Sequence, residues 1–182
     1  MERLRTTYDI QIRIVHFPLH PDTPEDGLTL EQLFAARDID IPAVKARMAR
    51  LMSDEGLPYG ERTMTFNSRL AQELAKWAET QPGGGAIQDA LFRAYFVEGL
   101  NIAQIDNLVR IAQQLGLDAQ EAKDVLESRR FQSAVDTEWQ RSRALGITGV
   151  PTFMLGDRVV VGAQPYDALE HLLLESGVPR RQ

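Results

Sequence analysis

Apolar residues follow different periods in successive parts of the chain, and each period predicts a different element. Glu2–Tyr8 carries one apolar anchor, Leu4, and reads as the last two turns of a helix. In IQIRIVHF, residues 10–17, Ile10, Ile12 and Ile14 alternate with Gln11, Arg13 and Val15, the period of a strand. Pro18 stops that run, and three prolines and a glycine within residues 18–27 make an extended loop. From about residue 28 to 145 the spacing is helical almost throughout. Val44, Met48, Leu51 and Met52 form a stripe over 42–55, with Pro42 suited to a first turn. Asn67 or Ser68 caps a helix carrying Leu70, Leu74, Trp77 and Ala78. Gln81–Gly85 then reads as a flexible connector.

Residues 86–98 place Ile87, Ala90, Leu91 and Ala94 on one face and Phe92, Tyr95 and Phe96 on a second. A helix apolar nearly all round is either central to a core or lines a groove. Ile105, Leu108, Val109, Ala112 and Leu115 mark the next helix, ended by Gly116. Asp118 caps a short helix to about Ser128, and 132–145 form another, closed by Gly146. The pattern then returns to β. Thr152–Leu155 and Arg158–Val161 flank Gly156-Asp157, a hairpin turn, and Asp167–Glu175 is a closing amphipathic helix. One strand, a large helical block, a hairpin and a terminal helix make a chain of 182 residues that fits one domain with its own core.

Composition narrows the chemistry. A net charge of −6 lacks the basic footprint of a nucleic-acid binder. No apolar run is long enough for a membrane span and nothing near Met1 resembles a signal peptide, so the expected address is cytoplasmic. The count of cysteines is zero, which excludes disulfides, thiolate metal sites and a cysteine nucleophile within these residues. His16 and His20 have Pro18 between them and no third ligand in view, so they read as strand-end and loop residues rather than a metal site. His171 reads as a surface residue. Gly83–Gly85 lacks the lysine of a phosphate loop and follows no strand. No catalytic residue, metal site or cofactor is expected.

One segment stands out: GITGVPTF, residues 146–153. Gly146 stops a helix, Gly149 permits an unusual backbone angle, and Pro151 opens a strand, where it forfeits no ladder bond. Only about 5–6% of X–Pro bonds in folded proteins are cis. A kinked Val150–Pro151 bond here would leave the Val150 N–H and C=O unpaired at a surface, where an extended peptide adds as a strand.

GVPTF leading into a hairpin and terminal helix resembles the cis-proline loop of the thioredoxin superfamily, and the helical block resembles the insertion of its DsbA-like branch. Phe17–Pro24 (FPLHPDTP), Leu91–Asn101 (LFRAYFVEGLN) and Leu115–Asp118 (LGLD) are similar to the FrnE-type group and its relatives, glutathione transferase kappa and 2-hydroxychromene-2-carboxylate isomerase. The similarity runs to about Gly177. It implies an α/β, thioredoxin-like fold with a large all-helical insertion, in which 1–26 and 146–182 form the thioredoxin-like part and 27–145 the insertion domain. Family members open with a β-strand and a Cys-x-x-Cys motif. Residue 1 aligns inside the helix that follows, so Met1 is expected to be a late start.

In that fold the first strand lies between 10–17 and 152–155. Without it the sheet is expected to close by direct pairing of these two edges or by exchange between protomers in a homodimer. The resemblance implies a thiol–disulfide oxidoreductase that is redox-inactive as written, with Gly149, Val150 and Pro151 as substrate platform and Phe92, Tyr95 and Phe96 as an aromatic wall. Its partner would be a thiol or disulfide protein or peptide, or glutathione, with no nucleic acid or membrane. The alternatives are a glutathione-dependent kappa-type isomerase or transferase and a non-catalytic peptide-binding module.

Overall fold

The computed structural model describes residues 1–181, which divide into two compact units, residues 1–19 with 137–181 and residues 20–136. Local sequence signals set several helix starts. In the second unit α2 (Leu30–Phe34) begins with a reciprocal capping box. Gln32 N–H donates to Thr29 Oγ1 at 3.1 Å, and Thr29 N–H donates to Gln32 Oε1 at 2.8 Å. Asp40 caps α3 (Ile41–Asp54) through the Ala43 N–H. Asn67 Oδ1 accepts from the Arg69 N–H, the first residue of α4 (Arg69–Ala78). After α5 (Ile87–Phe96) and α6 (Ile105–Gln114), Asp118 caps α7 (Ala119–Glu127) through the Glu121 N–H. A two-residue antiparallel ladder, β1 (Leu28–Thr29) on β2 (Met64–Thr65), also lies in this unit, a strand pairing too short to leave a period in the sequence.

The core of the second unit is the meeting of α4, α5, α6 and α7. Leu74, Trp77, Ile87, Leu108, Val125 and Leu126 are almost completely inaccessible to water there. These are the apolar positions of the helical spacing, and each such side chain contributes about 1.5–3 kcal/mol by leaving water. The stripe on α3 behaves differently: none of its residues is buried, and Val44, Met48 and Leu51 are exposed. Amphipathic spacing predicts a helix; whether a neighbour covers its apolar face is a tertiary matter.

Gln81–Gly85 is not a flexible connector. Gly84–Ala86 form a single 3₁₀ turn, and Gly84 is packed so closely that a Cβ on it would lie 1.8 Å from the Ala78 carbonyl oxygen. Glycine is present here for close approach as well as for freedom.

In the first unit, α1 (Glu2–Thr7), the hairpin β3 (Thr152–Leu155) and β4 (Arg158–Val161), and α9 (Tyr166–Glu175) share a small core of Leu4, Tyr8, Leu169 and Leu173. Phe153, Leu155 and Val160 pack against it from one face of the hairpin. Met154, Val159 and Val161 point the other way and are exposed, as two-residue alternation requires. Helix α8 (Gln132–Ala144) gives its first turn to the second unit and the remainder to this one.

Residues 10–17 do not form a strand. No ladder pairs them with β3 or any other described segment. The alternation that predicts a strand sets which face is apolar, whereas a strand exists only where a neighbour about 4.8 Å away takes its N–H and C=O groups. Direct closure of the sheet by 10–17 on 152–155 is therefore not what this chain does. Ile12 and Ile14 remain exposed. His16, expected at a strand end, is instead buried: its N–H donates to Glu138 Oε2 on α8 at 2.8 Å, and Nδ1 lies 2.8 Å from the same oxygen.

A polar cluster ties the termini of the first unit. The buried Tyr8 hydroxyl donates to Glu170 Oε1 at 2.8 Å, Tyr166 donates to the same oxygen at 3.2 Å, and Arg180 Nη2 approaches it at 3.4 Å. The Tyr8 hydrogen bond, together with those of Tyr166 and the nearby Arg180 and Arg3 charges, holds the Glu170 carboxyl below its ordinary value of 4.5. A carboxylate whose pKa is depressed on folding stabilises the fold above the unfolded value, and that stability is lost as pH falls through the folded one. The first unit is accordingly expected to lose urea resistance below about pH 4.5, and Glu170→Gln to flatten that acid limb. Urea midpoints at pH 6 and pH 3, for both proteins, check this.

Candidate functional site

The hairpin's register decides which backbone groups of β3 face outward. Leu155 pairs with Arg158, Phe153 with Val160, Met154 with Val159 and Thr152 with Val161. The Gly162 N–H donates to the Pro151 carbonyl at 2.8 Å, so Pro151–Gly162 is a hydrogen-bonded pair. Antiparallel pairs alternate between hydrogen-bonded and non-bonded types. Phe153 and Leu155 therefore exchange bonds with β4, while Thr152 and Met154 turn their N–H and C=O groups to the opposite edge. That edge has no neighbour among the described residues.

Val150 precedes it, exposed, and joined to Pro151 by a cis peptide bond. The Thr152 hydroxyl donates to the Gly149 carbonyl at 2.7 Å, closing the loop on itself. Gly149 is not in the left-handed region, and a Cβ there would meet nothing within 4 Å, so the expectation that this glycine supplies an unusual backbone angle does not hold. Gly146 does so, at φ +67°, where α8 has ended.

The free edge of β3 forms one wall of a groove of about 270 Å³. Val150, Thr152 and Met154 lie on that wall, and every second residue of the unpaired segment, Gln11, Arg13, Val15 and Phe17, lines the same space. Arg141, Ser142, Leu145 and Ile147, from the end of α8 and the loop after it, complete it. All belong to the first unit. Gln11–Val15 offer their own N–H and C=O groups, since no hydrogen bond takes them up among the described residues. Arg13 Nη2 stands 3.8 Å from Glu138 Oε1, and the Arg141 guanidinium has no ion-pair partner among the described residues. Neither arginine stands out in the sequence. Arg13 looks like the polar half of an alternating strand and Arg141 like the basic last turn of a helix.

Phe92, Tyr95 and Phe96 lie on α5 in the second unit and are not among the walls of this groove. They form a cluster of their own. Tyr95 and Phe96 meet edge to face at 4.7 Å between centroids, and Phe92 and Phe96 stand 6.2 Å apart. Phe92 is exposed and the other two are half-buried. The Tyr95 hydroxyl is committed: it accepts from Arg62 Nη2 at 2.6 Å and lies 3.0 Å from Thr65 Oγ1. The Arg62 guanidinium also lies over the Tyr95 ring, 4.9 Å from its centroid, a cation–π contact. His20, in the same unit, is held below its ordinary imidazole value by burial and by the charges of Arg37 and Arg62. No helix of the described residues is long and apolar enough to cross a membrane.

A family model described as a DSBA-like thioredoxin domain matches residues 1–174. The uncharacterized protein YwbO of Bacillus subtilis is 35% identical over 102 residues, which are 56% of this chain and 51% of that protein. The chain thus spans about half the length of the curated relative it matches. A probable DsbA oxidoreductase from Streptomyces coelicolor is similar in structure, with a TM-score of 0.80 at 26% identity over 87% of this chain and 72% of that one. The cytosolic disulfide reductase DsbM from Pseudomonas aeruginosa, solved with GSH, is similar at a TM-score of 0.55 and 25% identity, over 78% of this chain and 77% of its own.

Proposed function

This chain belongs to the DSBA-like thioredoxin domain family, and we propose that it is the substrate-holding part of a FrnE-type thiol–disulfide oxidoreductase. Exchange begins with attack by a thiolate, and 182 residues without cysteine have none. The reacting thiols have to come from a segment other than these residues, and the chain alone is redox-silent. Its own task is to hold an extended polypeptide in register. The observation that supports this reading is the exposed Val150 at the head of β3, a strand whose Thr152 and Met154 turn their N–H and C=O groups away from β4. An extended segment adds to such an edge as a further strand, with main-chain bonds supplying affinity.

Val150 extends that edge, and Gly149 and Pro151 shape the loop that ends it. Phe92, Tyr95 and Phe96 serve as an aromatic contact surface on the insertion. In this reading residues 1–26 and 146–182 are the thioredoxin-like part and 27–145 the helical insertion. The address is cytoplasmic, where a dithiol is catalytic rather than structural. The partners are thiol or disulfide proteins and peptides, with glutathione as the small-molecule candidate because DsbM was solved with GSH.

Met154→Pro tests the edge directly. It deletes one outward N–H and no ladder donor, and proline is tolerated on an edge strand in that orientation. Binding of extended peptides, read by fluorescence anisotropy, is expected to weaken about tenfold, the worth of roughly 1–1.5 kcal/mol, while the thermal midpoint stays near that of the parent. Unchanged affinity, or a folded parent chain that binds no extended peptide, overturns the reading. Calorimetry showing that glutathione binds and peptides do not would move the assignment to the kappa-type isomerase or transferase class.

A further inference from the structure

We propose that α3, with the cavity at its N-terminal end, is a docking surface for an acidic amphipathic helix of another protein. Ile41, Val44, Met48 and Leu51 recur at intervals of three, four and three residues, the spacing of a coiled-coil seam. The chain covers only one side of that seam: Ile41 and Met52 are half-buried, whereas Val44 is 49% exposed, Met48 41% and Leu51 44%. Helices of about 12–15 residues are marginal in water without packing, and α3 has 14. At its first turn a cavity of about 230 Å³ opens between Ile41, Pro42 and Lys45 and the facing Leu30, Arg62 and Thr63, with Glu31 the one carboxylate in its walls. Ile41 belongs to both seam and cavity, so the two are one surface. Charge identifies the occupant. Between Asp40 and Asp54 the only charged residues are Lys45, Arg47 and Arg50, in a chain whose net charge is −6. Arg47 and Arg50 are exposed and have no ion-pair partner among the described residues. Arg47, four residues before Leu51, borders the exposed apolar positions, and Arg50, three residues on, continues that flank. Glutamates beside a partner's apolar stripe would meet these guanidinium groups and displace no existing pair. A second copy is the poorer occupant, because antiparallel pairing of two α3 helices in full overlap sets Arg47 against its own symmetry mate. Complementarity of this kind selects among partners and speeds encounter more than it adds affinity.

The test uses the full chain and three acetylated, amidated three-heptad peptides. Each carries leucine at positions a and d and alanine at b, c and f, with Glu, Gln or Lys at e and g. Fluorescence anisotropy is expected to rank affinity Glu, Gln, Lys, with the Glu peptide about three- to tenfold tighter than the Gln peptide at low salt. Raising the salt to about 0.5 M should narrow that gap. Leu51→Gln should weaken the Glu peptide about tenfold and leave the thermal midpoint near the parent's, because the side chain is already exposed. Arg47→Glu combined with Arg50→Glu should reverse the order in favour of the Lys peptide. Met154→Pro should change none of these values, which separates this face from the edge of β3. Equal binding of the three peptides, binding indifferent to Leu51→Gln, or no binding would each overturn the proposal. So would two results that give the face another occupant: a dimer in sedimentation that Leu51→Gln dissociates, or cosedimentation with phosphatidylglycerol vesicles that the same change abolishes.

Discussion

Glu73→Ala is expected to cost the helical unit about 3–5 kcal/mol, a large part of the roughly 5–15 kcal/mol that holds a typical domain together. Glu73 lies on α4 with no exposure to water. Its Oε1 accepts from Arg69 Nε and from Arg129 Nη2, each at 2.7 Å, and its Oε2 accepts from Arg129 Nε at 2.9 Å. Arg69 continues the network to Asp136 Oδ1 at 2.7 Å and the Gln132 carbonyl at 2.8 Å. Arg129 is the one non-glycine residue with positive φ among the described residues, at +54°, where α7 ends and the N–H groups of Arg129 and Arg130 donate back to the Leu126 and Val125 carbonyls. The hydrogen bond to Glu73 also raises the Arg129 pKa above its ordinary value.

Alanine removes the carboxylate and leaves guanidinium charge facing a site closed to water, which is the expensive way to break a buried pair. Urea unfolding of the Ala and Gln variants measures it, with Gln the milder because it keeps an acceptor. A loss below about 1 kcal/mol would mean the network relaxes into solvent at little cost.

The second large effect is expected within a run of three identical residues. Gly84→Ala places a Cβ 1.8 Å from the Ala78 carbonyl oxygen and 2.6 Å from its carbon, so the 3₁₀ turn has to leave the end of α4. Overpacking of this kind costs about 1–3 kcal/mol or more. Gly83→Ala meets no atom within 4 Å but must adopt φ +83°, a strain of about 1 kcal/mol. Gly85→Ala meets neither obstacle and is expected to be neutral or to stabilise by about 0.4–1 kcal/mol through the unfolded chain. Thermal midpoints of the three single variants should therefore rank Gly85, Gly83, Gly84 from highest to lowest. Three equal midpoints would mean that the segment is the loose connector its composition suggests.

That series also marks how far composition can be read. A glycine triplet is legible as a break between helices, but a φ requirement, a steric requirement and no requirement look alike in one-letter code. The same holds around the groove. GVPTF and the hairpin after it are visible because turn residues and β-branched runs act over a few positions. The pairing of His16 with Glu138 joins residues 122 positions apart, and nothing local marks either. Phe92, Tyr95 and Phe96 were legible as a second apolar face of α5, and they do cluster. Arg62, which donates to the Tyr95 hydroxyl, lies in an irregular segment with no period to reveal it.

What the amino-acid order determined unaided was therefore what short-range physics controls: the capped start at Asp118, the amphipathic helices, the tight turn at Gly156-Asp157, and the absence of any thiol. The thioredoxin-like DsbA fold came instead from the resemblance of GVPTF and its companion segments to a known family, and the family model and a solved relative bear it out. Tertiary structure alone decided whether each apolar or alternating run finds a partner. Helix α3 keeps its stripe in water, Ile10–Phe17 forms no ladder, and β3 keeps one edge open. Periodicity is a property of one segment, whereas a ladder or a packed face needs two segments brought together across the chain, so the open edge beside Val150 exists only in the folded molecule.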